Sequence, residues 1–108
     1  MKILPLEIYQ VKKRISSYVT RTQLVRAQAL SDRCDSEIWC KLETMQPTGA
    51  FKLRGATNAI LRLNEDQRKR GVVAVSKGNH IHGVLYAARE QGLRSVICLF
   101  SLVAENKV

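Results

Sequence analysis

Four consecutive apolar residues, Val72-Val73-Ala74-Val75, run into a polar pentad, Ser76-Lys77-Gly78-Asn79-His80, and this junction constrains the fold more than any other segment of the 108-residue chain. An unbroken apolar run reads as a strand covered on both faces, the usual state of a strand in a parallel sheet. A parallel neighbour needs a crossover connection. The pentad opens the segment that supplies it: residues 79–91 read as a helix stopped at Gly92. Residues 95–100 then give a second buried strand.

The preceding segments extend this pattern. Apolar positions 6, 8, 11 and 15 have helical spacing over 6–15, and the basic last turn Lys12-Lys13-Arg14 suits a helix carboxyl end. A short extended piece is expected at 23–25, a helical turn at 27–33, and a strand at 37–43 containing Ile38, Trp39, Cys40 and Leu42. Pro47-Thr48-Gly49 breaks the chain. Residues 52–63 carry apolar side chains at 53, 56, 60, 61 and 63 between polar ones, the pattern of an amphipathic helix. A short helical turn at 64–70 completes the order, and 101–108 reads as a loop or the start of a helix. The expected fold class is α/β, three-layered, with a mostly parallel sheet. We read residues 1–108 as a single truncated domain.

Composition narrows the function classes. No run approaches the ~20 apolar residues of a membrane span. Pro5, Glu7 and Gln10 interrupt what would be the apolar part of a signal peptide, so a cytoplasmic chain with no membrane partner is expected. Eighteen basic against nine acidic residues give a net charge of +9, but the cations are spread along the whole sequence without a recognition motif. No specific nucleic-acid partner is expected from that distribution. Cys34, Cys40 and Cys98 lack CxxC spacing and read as reduced, with Cys40 and Cys98 as small core hydrophobes. His80 and His82 have no cysteine close by in sequence, so no metal site is expected.

Lys52 is the residue with the most chemical promise. It follows the Pro-Thr-Gly turn and opens a helix, where the macrodipole disfavours a cation. That field, together with burial beside Phe51, would favour the neutral amine that attacks an aldehyde. The alternative is a solvated charge at a helix start. Ser76, Gly78, Asn79 and His80 sit at the carboxyl end of a strand, where free backbone N–H groups favour anions. Asn79 also reads as a plain helix cap, Phe51 equally as a core side chain, and Arg54 as readily as half of a structural salt bridge as a ligand contact.

The stretch Lys41-Leu42-Glu43-Thr44-Met45-Gln46-Pro47-Thr48-Gly49-Ala50-Phe51-Lys52-Leu53-Arg54-Gly55-Ala56, with Ser76-Lys77-Gly78-Asn79-His80, resembles the amino-terminal part of the fold-type II pyridoxal-phosphate enzymes. The branch it resembles is that of the threonine and serine dehydratases, with details similar to the subgroup linked to ectoine and hydroxyectoine breakdown. The resemblance implies pyridoxal 5'-phosphate as cofactor, held by Lys52 as a Schiff base, with Phe51 near its ring and Asn79 hydrogen-bonded to its phenolic oxygen. It implies that Ser76, Gly78, Asn79 and His80 hold the carboxylate of a small amino-acid substrate. The implied reaction eliminates water from a hydroxy amino acid, giving a 2-oxo acid and ammonia.

Departures from the family pattern cluster in the second segment. Lys77 stands where the family carries Ser, Thr or Ala, Ile81 where it carries Ala or Gly, and His82 and Leu85 also differ. The family's phosphate-binding loop lies beyond residue 108. The chain is therefore expected to be an amino-terminal portion of such an enzyme, with weak cofactor binding and activity reduced or lost. The alternative is a non-catalytic α/β module that self-associates through its exposed sheet edge. Either way, a homo-oligomer is expected.

Overall fold

A computed structural model describes residues 2–99. The expectations for 100–108, including the end of the last strand, lie outside the described residues. Helix α1 (Pro5–Ile15) begins with proline at its first position, and Glu7 accepts a hydrogen bond from the backbone N–H of Leu4. Only its last turns dock. Ile15 is buried and Val11 half-buried, while Leu6 and Ile8, which the spacing assigned to the same face, stay exposed. Arg14 Nη1 donates to Asn58 Oδ1 at 2.6 Å, fixing α1 to the third helix.

Strands β1 (Leu24–Arg26) and β2 (Trp39–Lys41) flank helix α2 (Gln28–Cys34) and pair antiparallel, Val25 opposite Cys40. The expected strand at 37–43 is thus shorter, because Glu43–Met45 turns into a 3-10 helix that carries Glu43 and Gln46 away from the ladder. Helices α3 (Lys52–Leu61) and α4 (Glu65–Arg70) follow. Asn64 caps α4 in a reciprocal arrangement: its Oδ1 accepts from the N–H of Gln67, and Gln67 Oε1 accepts from the N–H of Asn64, both at 2.9 Å.

β3 (Val72–Val75) and β4 (Ser95–Cys98) form the parallel pair, Ala74 opposite Ile97, joined through α5 (Asn79–Glu90). The first two strands stay in their own sheet, so the described residues hold one parallel and one antiparallel pair. The core is Ala56 and Ile60 of α3, Ala74 of β3, and Val84, Ala87 and Ala88 of α5, edged by Val72 and Ile97.

One face of the parallel pair is covered and the other open. Val73 and Val75 alternate outward at 69% and 59% exposure, and Val96, paired with Val73, is exposed beside them. The apolar run that predicted a strand covered twice is covered once among the described residues. Cys98 shares that open face and is exposed, correcting its assignment to the core; Cys40 is half-buried.

Candidate functional site

Two segments far apart in sequence meet where α3 and α5 pack. The turn before α3 needs a glycine: Gly49 has φ +68° and its N–H donates to Gln46 O at 2.7 Å. Ala50 is buried behind the turn, so the next residues emerge as Phe51 and then Lys52, the first residue of α3. Leu53, at 0% exposure, anchors that first turn in the interior. Lys52 itself points outward, its Nζ 5.0 Å from the centroid of the Phe51 ring, a cation–π distance. Phe51 is 58% exposed, which removes the core-packing alternative and also the expected burial of the pair.

The turn is braced by a polar network of which the sequence pointed only to a salt bridge from Arg54. Arg54 grips Glu43 with two hydrogen bonds, Nε to Oε2 and Nη2 to Oε1, each 2.8 Å. Thr22 donates to Glu43 Oε1 at 2.6 Å and Gln46 Nε2 to Oε2 at 3.1 Å. Gln46 also pairs with the backbone of Thr20 in both directions, at 3.0 and 2.9 Å. The two hydrogen bonds from Arg54, and then those from Thr22 and Gln46, outweigh the opposing effect of burial and hold the Glu43 carboxyl at about 2 rather than 4.5. Arg54 is shifted upward by the same partner. Of the two roles open to Arg54, the structure shows the salt bridge. The signal was present in the sequence, since Glu43, Gln46 and Arg54 all fall within the motif, but only folding brings Thr20 and Thr22 to them.

The second segment supplies the head of α5. Gly78 occupies the cap position and Asn79 the first helical one, so Asn79 is not the helix cap. Its side chain makes no hydrogen bond among the described residues. Ser76, half-buried, accepts from the N–H of Gly78 at 3.4 Å and shapes the loop. One turn on, Gly83 rests on the backbone of the other segment: a β-carbon there would stand 3.2 Å from Leu53 N and from Lys52 C and O. Asn79 and Gly83 are four residues apart and share a helix face, so Asn79 lies about 6 Å along the axis from the Lys52 contact. His80 falls on the neighbouring stripe with Val84, and both line a hollow of about 210 Å³ beside Gly55, Ala59 and Val73. A wider cavity of about 400 Å³, lined by Pro47, Thr48, His82, Leu85, Tyr86 and Arg89, lies along α5 and includes neither Lys52 nor Asn79.

The sequence and the fold both have counterparts among known proteins. The family model described as pyridoxal-phosphate dependent enzyme matches residues 15–108. The chain belongs to that family. A protein of Sinorhizobium fredii provisionally described as a threonine dehydratase is 48% identical over 101 residues, 94% of this chain and 30% of that one. The L-threonine ammonia-lyase of Thermotoga maritima is 43% identical over 93 residues, 86% of this chain and 23% of its own length. Maize serine racemase superposes with a TM-score of 0.82 at 35% identity, over 88% of this chain and 30% of that one. The chain thus spans less than a third of these relatives, and its fold is part of a fold-type II enzyme of this family.

The residues present fit one end of the family's cofactor. Lys52 offers an amine for its aldehyde, Phe51 an apolar face, and Asn79 an amide with no hydrogen-bond partner among the described residues, suited to a phenolic oxygen.

Proposed function

We propose that this chain forms the lysine-bearing portion of a pyridoxal-phosphate-dependent dehydratase that eliminates water from threonine or serine. The observation that carries the reading is the seating of Gly83 on the Lys52–Leu53 backbone, with the uncommitted side chain of Asn79 one turn away. Bound cofactor supplies the electron sink that makes loss of a Cα proton feasible.

The residues of this portion would supply the groups around the reacting end of the cofactor. Lys52 would hold the cofactor through Nζ, and the same nitrogen would accept the Cα proton. Phe51 would give the ring an apolar neighbour. Asn79 would donate to the phenolic oxygen. Ser76, Gly78, Asn79 and His80 bind the substrate carboxylate through side chains and the free N–H groups of the first turn of α5. Of the departures from the family pattern, Lys77 falls in this loop, whereas Ile81 is buried in the interior and His82 and Leu85 line the separate cavity along α5. We assign the chain to a cytoplasmic homo-oligomer acting on small amino acids.

A second reading, a non-catalytic module that self-associates, is favoured by the open face of the parallel pair at Val73, Val75, Val96 and Cys98. Incubation with pyridoxal phosphate separates the two. Absorbance near ~420 nm that disappears in Lys52→Ala is expected for the first reading. A cofactor spectrum unchanged by the protein would favour the second.

A further inference from the structure

Gly83 is the one residue of α5 whose lack of a side chain is set against the backbone of Lys52. We propose that Gly83 is a positioning residue for Lys52: by admitting α5 onto the Lys52–Leu53 peptide, it fixes where the amine stands relative to Asn79. The inference rests on the reading of Lys52 as the cofactor-binding amine.

The helix-pair geometry supplies the reason. Gly83 is buried, and the atoms a β-carbon would meet at 3.2 Å are Leu53 N and the carbonyl carbon and oxygen of Lys52. These are backbone atoms at the first turn of α3, so no flexible side chain can swing aside to make room. Just behind, fully buried Leu53 holds the same turn from the interior. A methyl group at Gly83 therefore moves α5 off α3, or tilts the first turn of α3, by a few tenths of an ångström. Both displacements change the separation of Lys52 from Asn79, because Asn79 rides on the same face of α5 one turn earlier. Other glycines lack this relation: Gly55, on α3 itself, has nothing within 4 Å of a built β-carbon. A glycine in mid-helix is less favourable than alanine, so Gly83 gives up helix stability where close approach is required.

The test measures where an aldehyde reacts. The full chain is exposed to limiting pyridoxal phosphate. The amine adds to the aldehyde carbon and water leaves. Borohydride then delivers hydride to the C=N bond, leaving a stable secondary amine located by peptide mass spectrometry. Lys69, exposed on α4, is the internal reference. In the wild-type chain Lys52 is expected to be marked in preference to Lys69. In Gly83→Ala, assayed well below its thermal midpoint, that preference falls about threefold to tenfold. In Gly55→Ala it holds at the wild-type value.

An unchanged ratio in a folded Gly83→Ala chain overturns the inference and leaves the Lys52 reading standing. A wild-type chain without preference for Lys52 removes that reading, and the inference falls with it. A measurement that needs no variant covers a chain that does not fold with alanine: an NOE between the Gly83 α-protons and the Leu53 amide proton in the wild-type protein. Its absence also overturns the proposal.

Discussion

Arg54 and Glu43 face each other across the Pro-Thr-Gly turn with two parallel 2.8 Å hydrogen bonds, so the turn that presents Lys52 is held by a fork-to-carboxylate clamp. The side chains are 33% and 18% exposed, shielded enough for the pair to matter more than a surface ion pair. Arg54→Lys keeps the charge but cannot make both bonds. It is expected to cost about 1 kcal/mol, and Arg54→Ala roughly 2–3 kcal/mol, because alanine leaves a partly buried carboxylate short of partners. Urea denaturation of the two variants checks the order; equal midpoints would remove the clamp from the account.

The same carboxylate makes stability depend on acid. Glu43 titrates at about 2 in the folded chain, against 4.5 ordinarily. Between these values the unfolded chain takes up a proton that the folded chain does not, so falling pH favours unfolding. The contribution is complete above about pH 4.5 and is lost as pH falls toward about 2. Its full size is on the order of 3 kcal/mol before solvent screening reduces it. Glu43→Gln should flatten this part of the profile while lowering stability at neutral pH. Denaturation midpoints measured across that range in both proteins test the sign; a variant as acid-sensitive as the wild type would assign the loss to other carboxylates.

How much of this was legible in the sequence follows the range of the interactions. The parallel strand at Val72–Val75, the helix after it and the amphipathic α3 rest on local periodicity and stops, and they were readable to within a residue or two. The motif pointed to Lys52 and Asn79. What escaped was whatever depends on a partner distant along the chain. Thr22 reaches Glu43 from 21 residues away, and Gly83 rests on the backbone of Leu53. A glycine inside an apolar helix could have raised the question of close approach, but not named its target. The antiparallel pairing of β1 with β2 escaped for the same reason, since three-residue strands carry too little alternation to declare a neighbour.

Val73 and Val75 bring the open sheet face to a test. Exposed at 69% and 59%, they lie opposite the buried Ala74 and contribute nothing to the core. Replacing both with threonine keeps β-propensity and removes apolar area. The expected outcome is a smaller mass by light scattering at micromolar concentration with little change in circular dichroism. Wild-type protein that is already monomeric there would count against self-association through this face.

Thr57 offers a stability test independent of the site. Its hydroxyl, in a residue only 2% exposed on the face of α3 turned toward α5, has no hydrogen-bond partner among the described residues. The space beside it, bounded by Tyr18, Ile60, Tyr86, Ala87, Glu90 and Gln91, has no room for a water molecule to supply one. An unsatisfied buried hydroxyl costs roughly 1–3 kcal/mol. Valine has nearly the same shape, keeps the β-branched rotamer preference and needs no partner. Thr57→Val is therefore expected to raise stability by about 1 kcal/mol, with the labelling preference for Lys52 unchanged because the substitution lies more than a helical turn from that residue. Thermal and urea midpoints decide it. A loss of stability would mean that the hydroxyl finds a partner in solution, most directly a backbone carbonyl one turn back in α3.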